Sequence, residues 1–248
     1  MPNSVRRAGL VILAGAAALA LALSAGKASG WRNASHEPVG LAPDPVTTPE
    51  AVVQVYGART WGWKGAFGVH TWVAVKAADA KAYTVYEVIG WRLRWSDSAV
   101  AIHQRAPDGR WYGSAPELLA DQRGPQAEAL IARVDAAARS YPYANQYTVW
   151  PGPNSNTFTA WIARAVPELQ VDLPSTAIGK DYLGDRLVWS APSGSGFQFS
   201  LGGLLGFTAS GVEGIELNVL GLTFGVDPFD PAIKLPLIGR LGAAKNGL

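Results

Sequence analysis

Gly152-Pro153-Asn154-Ser155-Asn156-Thr157-Phe158 is a polar turn that runs straight into an apolar period. Phe158, Trp161, Ile162, Ala165 and Val166 recur at helical spacing until Pro167, which has no N–H to donate and stops the segment. Short oxygen-bearing side chains at a helix start cap its unpaired N–H groups. Those same N–H groups and the positive end of the helix dipole also favour an anion. The stretch therefore has two readings: a helix cap, or a hydroxyl on Ser155 held beside a ready-made anion site.

Upstream, strand patterns dominate. Val69 to Lys76 alternates, with Val69, Thr71, Val73 and Val75 on one face and His70, Trp72 and Ala74 on the other. Tyr83 to Trp95, interrupted at Gly90, and Ala99 to Gln104, before the Pro107-Asp108-Gly109 turn, read as further strands. Gly124-Pro125 opens a helix to about Arg139, with Leu130, Ile131, Val134 and Ala138 as its buried stripe. Tyr147 to Trp150 reads as a short strand. The fold class is α+β, a mostly antiparallel sheet packed with a few helices.

Downstream, glycine and alternating apolar residues take over from Ser193. Phe197 to Leu201, Leu204 to Phe207 and Ile215 to Phe224 read as strands of a hairpin-like layer. Ile215, Leu217 and Val219 are apolar at odd positions, but Leu220, Leu222 and Phe224 continue at even ones, which implies a β-bulge or bend near Gly221. Pro228, Pro231 and Pro236 predict an irregular tail. Apolar residues left exposed in this layer mark an interface.

The N-terminal thirty residues are a separate object. Arg6 and Arg7 precede an uncharged run from Ala8 to Gly26, which reads as an export signal or membrane anchor, cleaved or retained. Ordinary export fits better than a twin-arginine signal, because the residues around Arg6-Arg7 match that signal poorly. Trp31 to Pro49 is polar and holds four prolines, so it reads as an extended linker. The division expected is 1–30 leader, 31–50 Pro-rich linker, 51–190 α+β domain and 191–248 Gly-rich β extension.

Composition narrows the function classes. The sequence pI of 8.9 misleads, because Arg6, Arg7 and Lys27 fall in the leader and leave 18 Lys and Arg against 19 Asp and Glu. No nucleic-acid partner follows from that balance. Cysteine is absent, which removes disulfides and thiol nucleophiles, and the scattered histidines argue against a metal site; no cofactor is expected. Trp72, Trp91, Trp95 and Trp161 sit in periodic segments and read as core. Lys180-Asp181 reads as a surface turn pair, Arg92 and Arg94 as a solvated strand face, and Gly202-Gly203 lacks the lysine of a phosphate loop.

Gly68-Val69-His70-Thr71-Trp72 on a strand start, then strands, a helix and Asn154-Ser155-Asn156-Thr157-Phe158 at a helix start, resembles the circularly permuted papain-like (NlpC/P60-type) enzymes. Those relatives carry a nucleophilic cysteine between the asparagines, where this chain has Ser155. The resemblance implies a papain-like domain in which His70, Ser155, Asn154 and Asn156 form the site. A helix start supplies only about 0.3–2 kcal/mol to an anion, too little to ionise an alcohol, so Ser155 requires a general base. His70 is the candidate base, with the Ser155 and Asn156 backbone N–H groups or the Asn154 amide at the oxyanion. Glu87, Asp97 and His103 are candidates to orient the imidazole.

A second resemblance spans nearly the whole exported portion. Trp150 to Phe158, Ala177-Ile178-Gly179-Lys180-Asp181-Tyr182 and Ala232-Ile233-Lys234-Leu235-Pro236 look like the bacterial family named domain of unknown function 3750. That family carries no activity to transfer, so function must come from the site. The expectation is a cell-envelope protein, either a serine-dependent amide or ester hydrolase or acyltransferase, or a non-catalytic binding or scaffold module. In the second case Asn154 to Asn156 is only a cap, and the C-terminal layer contacts a membrane, cell-wall component or other partner.

Overall fold

The strands β1 (Val52–Arg59) and β2 (Val69–Lys76) pair antiparallel and are buried on both faces. In the computed structural model, which describes residues 31–242, they form the centre of a five-stranded sheet. β3 (Thr84–Val88) and β4 (Val100–Gln104) extend it on one side and β5 (Pro116–Arg123) closes the other, giving the order β4-β3-β2-β1-β5. Every pairing is antiparallel, so the α+β class with an antiparallel sheet holds.

The helices α1 (Gly124–Arg139) and α2 (Ser155–Ala165) cover one face of this sheet. Their apolar stripes, Leu130 and Val134 from α1 and Phe158 and Ile162 from α2, meet Val53, Val55, Val73 and Val75 in the main core. The opposite face carries Tyr56, Trp72 and Val85, closed over by Trp111 and Leu118. Successive residues of a strand point to opposite faces, so the two cores divide β2 residue by residue.

A second sheet of seven strands follows as a meander: β6 (Val188–Ser190), β7 (Gly196–Leu201), β8 (Leu205–Ser210), β9 (Gly214–Val219), β10 (Leu222–Asp227), β11 (Ala232–Leu235) and β12 (Gly239–Gly242). Its polarity is inverted. Gln198, Thr208, Glu216, Asn218, Thr223 and Lys234 point inward and are buried. Their neighbours Phe207, Leu217 and Phe224, aligned across β8, β9 and β10, point outward and are 38–48% exposed.

Several expectations change. Residues 31–50 carry no strand or α-helix and lie against the domain: Arg110 and Gly113 donate their N–H groups to the Glu37 and Ser35 carbonyls, and the Leu41 N–H donates to Asp108 Oδ2 at 2.7 Å. After Gly90 the chain forms a 3-10 turn (Gly90–Arg94) instead of continuing as strand, and Tyr147 to Trp150 forms no strand. The phase change near Gly221 is a two-residue hairpin, not a bulge. Leu220 (φ 54°) and Gly221 (φ 77°) both take positive φ, the type I′ pattern that suits twisted strands. The proline-containing tail still pairs as β11 and β12, because its prolines fall in the turns. The leader, residues 1–30, lies outside the described residues.

Candidate functional site

Asn154 opens α2 as its N-cap. Its Oδ1 accepts from the Asn156 N–H at 2.9 Å and the Thr157 N–H at 3.3 Å, while Thr157 Oγ1 accepts from the Asn154 N–H at 3.1 Å. This reciprocal capping box satisfies the first donors of the helix. The other half of the Asn154 amide donates to the Val149 and Ile178 carbonyls at 3.1 and 2.9 Å. Asn156 is equally occupied: its Nδ2 donates to the Val69 and Ile178 carbonyls at 3.0 and 2.8 Å, and its Oδ1 accepts from Thr71 Oγ1 at 2.9 Å. Both asparagine amides are thus bonded to protein on every side of the turn, which leaves neither aimed at a ligand.

Gly179 completes the junction with φ 100°, which L residues rarely adopt, and a side chain there would overlap the Asn154 amide. Its carbonyl accepts from Thr157 Oγ1 at 2.7 Å. Ser155 is 4% exposed, its carbonyl accepts from Thr159, and among the described residues its hydroxyl has no hydrogen-bond partner.

His70 lies elsewhere. Its Nε2 and Glu87 Oε2 are 2.8 Å apart, and its ring stacks on Trp111 with centroids 3.7 Å apart and planes 15° from parallel. The other Glu87 oxygen receives His103 Nε2 at 2.7 Å and Arg105 Nε at 3.1 Å. Arg105 also sits over the Trp72 ring, 4.9 Å from its centroid. Burial alone would raise the Glu87 carboxyl, but the bonds from His103 and His70 and the charge of Arg105 outweigh it and hold the group far below the usual carboxylate range. Burial pushes His70 down, against the opposing pull of Glu87. An ionised carboxylate only accepts, so neutral His70 donates from Nε2 and keeps its lone pair on Nδ1.

The structure brings His70, Glu87 and His103 together, and among the described residues no hydrogen bond joins His70 to Ser155. Thr71 points to α2, where its hydroxyl meets Asn156 and Thr159; His70 and Trp72, on either side of it in β2, point to the opposite face. Asp97, the third orienting candidate, lies exposed in a turn. Sealed by Trp111 and 4% exposed, His70 acts chemically as a charge-braced strut joining β2, β3 and the strand end at Arg105.

Two further departures bear on function. Lys180-Asp181 is not a surface pair: Lys180 Nζ lies 3.0 Å from Asp181 Oδ1 and 2.5 Å from Glu216 Oε2, fully buried. Glu216 Oε1 continues to Lys234 Nζ at 2.9 Å, which also pairs with Asp172 at 2.6 Å. Burial lowers the Lys180 ammonium, but Asp181 and Glu216 reverse that and leave it well above its ordinary value. This network fastens the polar face of the second sheet to the loop after α2. No local pattern announces it, since its members lie far apart in sequence; the buried polar phase of β7 to β11 was the available sign. Trp91 and Trp95 are exposed, at 41% and 67%, because the segment expected as strand is a surface 3-10 turn.

Among the described residues no group of His, Asp and Glu is arranged to hold a metal ion, and no helix is long and apolar enough to cross a membrane. In comparisons with known proteins, the model of the family described as "Protein of unknown function (DUF3750)" matches residues 50–182, just over half of the chain. No curated protein and no solved structure matches.

Proposed function

We propose that this chain, which belongs to the DUF3750 family, is a non-catalytic module of the cell envelope, exported through the run at 8–26 and attached there by the outward face of its second sheet. The observation that carries this reading is the inversion of that sheet: charged and amide side chains inward, Phe207, Leu217 and Phe224 outward. Seven strands of three to six residues, spaced about 4.8 Å apart and rising about 3.3 Å per residue, project roughly 550 Å². That lies near the upper end of the largest apolar patch on ordinary monomers, about 300–600 Å², and such patches mark interaction surfaces.

A serine-dependent hydrolase or acyltransferase using Ser155 and His70 would need the two side chains on one face of the sheet. His70 is engaged by Glu87 and Trp111 on the face opposite Thr71, and among the described residues no hydrogen bond of His70 reaches Ser155, which supports the non-catalytic alternative, in which Asn154 to Asn156 serve the helix start alone.

The chain has no cysteine, so a single introduced thiol is a unique reporter. Leu217→Cys on the outward face and Ala129→Cys on the exposed side of α1 are compared in intact cells and after purification. The expected result is that a thiol reagent modifies position 129 in both settings and position 217 only after purification. Equal modification of position 217 in both settings would remove the attachment reading.

A further inference from the structure

Resting on that attachment reading, we infer that the surface covering the second sheet is a lipid bilayer, along which the sheet lies without crossing it. Three observations converge on lipid. The first is the absence of charge across whole rows of the face. Phe199, Phe207, Leu217 and Phe224 are aligned by the strand register, and so are Leu201, Leu205, Val219 and Leu222. A third row runs Ala209, Ile215, Val226, Ile233 and Leu241. Apolar residues outward and polar residues inward is the pattern of lipid-facing strands.

The second is strand length. The longest strands of this sheet have six residues, about 20 Å at roughly 3.3 Å per residue, whereas a membrane-crossing strand needs about 9–11. The sheet is therefore too short to span, and its face is broad enough to lie on the surface.

The third is that three of the five exposed tryptophans among the described residues sit at one end of this sheet, Trp91 and Trp95 lying at the turn after β3. In a meander the β7–β8, β9–β10 and β11–β12 turns emerge at one end. Trp150, 51% exposed, donates its indole N–H to the Leu220 carbonyl of the β9–β10 turn at 2.9 Å. Arg59 Nη2 reaches the Ile238 carbonyl of the β11–β12 turn at 3.3 Å, which places the adjoining loop with Trp61, Trp63, exposed Lys64 and Phe67 at the same end. Tryptophan collects at the headgroup level of bilayers, where the ring is half in hydrocarbon and its N–H stays wet, and lysine beside it meets anionic headgroups. A second copy stacked face to face would cover the rows but give this aromatic end no role. A bilayer takes both.

The test uses the full chain carrying Leu217→Cys or Ala129→Cys, each labelled with an environment-sensitive fluorophore. The probe is vesicles of three parts phosphatidylethanolamine to one part phosphatidylglycerol, with or without acyl chains brominated to quench. Bilayer contact predicts a blue shift on adding vesicles and at least a twofold loss of emission from brominated lipid at position 217, with neither at 129. An apolar leader alone, if it holds the chain on vesicles, cannot produce that contrast. If position 217 is already shielded without vesicles and sedimentation gives twice the chain mass, a second copy is the occupant and both readings fall; if it stays as aqueous as 129 on vesicles while cells still protect it, the bilayer inference falls and the attachment reading stands. If position 217 stays as aqueous as 129 in every condition and cells fail to protect it, both fall.

Discussion

His70 and Thr71 are neighbours in β2, yet His70 bonds to Glu87 on one face of the first sheet while Thr71 bonds to Asn156 of α2 on the other. The one-residue alternation of a strand thereby separates two motifs that look, in the linear sequence, like halves of one site. The contacts of each motif follow from its own face: the asparagine turn caps a helix, and the histidine bonds across strands.

The Ser155 hydroxyl carries little of that load, whereas Asn156 carries much. Ser155→Ala is expected to shift unfolding free energy by under about 1 kcal/mol, since no bond of its hydroxyl is lost. Asn156→Ala removes bonds to Val69, Ile178 and Thr71 and leaves buried groups unpaired, at about 3 kcal/mol. Urea titration of both variants checks the contrast. Acylation of Ser155 by serine-directed probes, lost in Ser155→Ala, would instead restore a catalytic reading.

Gly179→Ala should cost at least about 2 kcal/mol, because the backbone angle is strained for any side chain and the added methyl meets the Asn154 amide. Thermal unfolding measures it. A stability equal to wild type would mean that the junction between the cap and the Ile178-Gly179 turn is loose.

Acid should weaken the fold in two windows with definite signs. His70 binds its proton more weakly folded than unfolded, so stability falls as pH drops below the ordinary value of 6.5, where the unfolded chain takes up a proton first. Glu87 is depressed in the folded state, so its contribution is complete above the ordinary 4.5 and is lost as pH falls below it. Unfolding free energy measured from pH 8 to pH 3 should show both declines. Glu87→Gln should flatten the lower one while costing about 3 kcal/mol at neutral pH, as one partner of a buried charge cluster is removed.

Local pattern carried most of the elements. Strand β2, helix α1 and the α2 start were legible because period and capping chemistry agree there. β5 was not, since Pro116 to Arg123 is polar for an edge strand paired only with β1. The docking of residues 31–50 depends on single contacts such as Asp108 with Leu41, which proline content cannot reveal. At the site, the hydrogen-bond partners of each named residue were not legible. Glu87 and His103 were among the candidates around His70, but the face each side chain takes depends on strand register and helix packing. Lys180-Asp181 looked like a surface turn because its partner Glu216 lies on another sheet.

The second sheet is inverted, held by its polar face with its apolar rows outward. Paired substitutions on adjacent residues of β9 test it most directly, by thermal and urea unfolding of the purified protein. Leu217→Glu, on the outward face, should leave unfolding free energy within about 0.5 kcal/mol of wild type. Glu216→Leu, which removes the buried carboxylate that Lys180 and Lys234 share and leaves each with one aspartate, should cost about 3–5 kcal/mol. The opposite ranking, with Leu217→Glu severely destabilised and Glu216→Leu tolerated, would show the apolar rows to be a core and contradict the account.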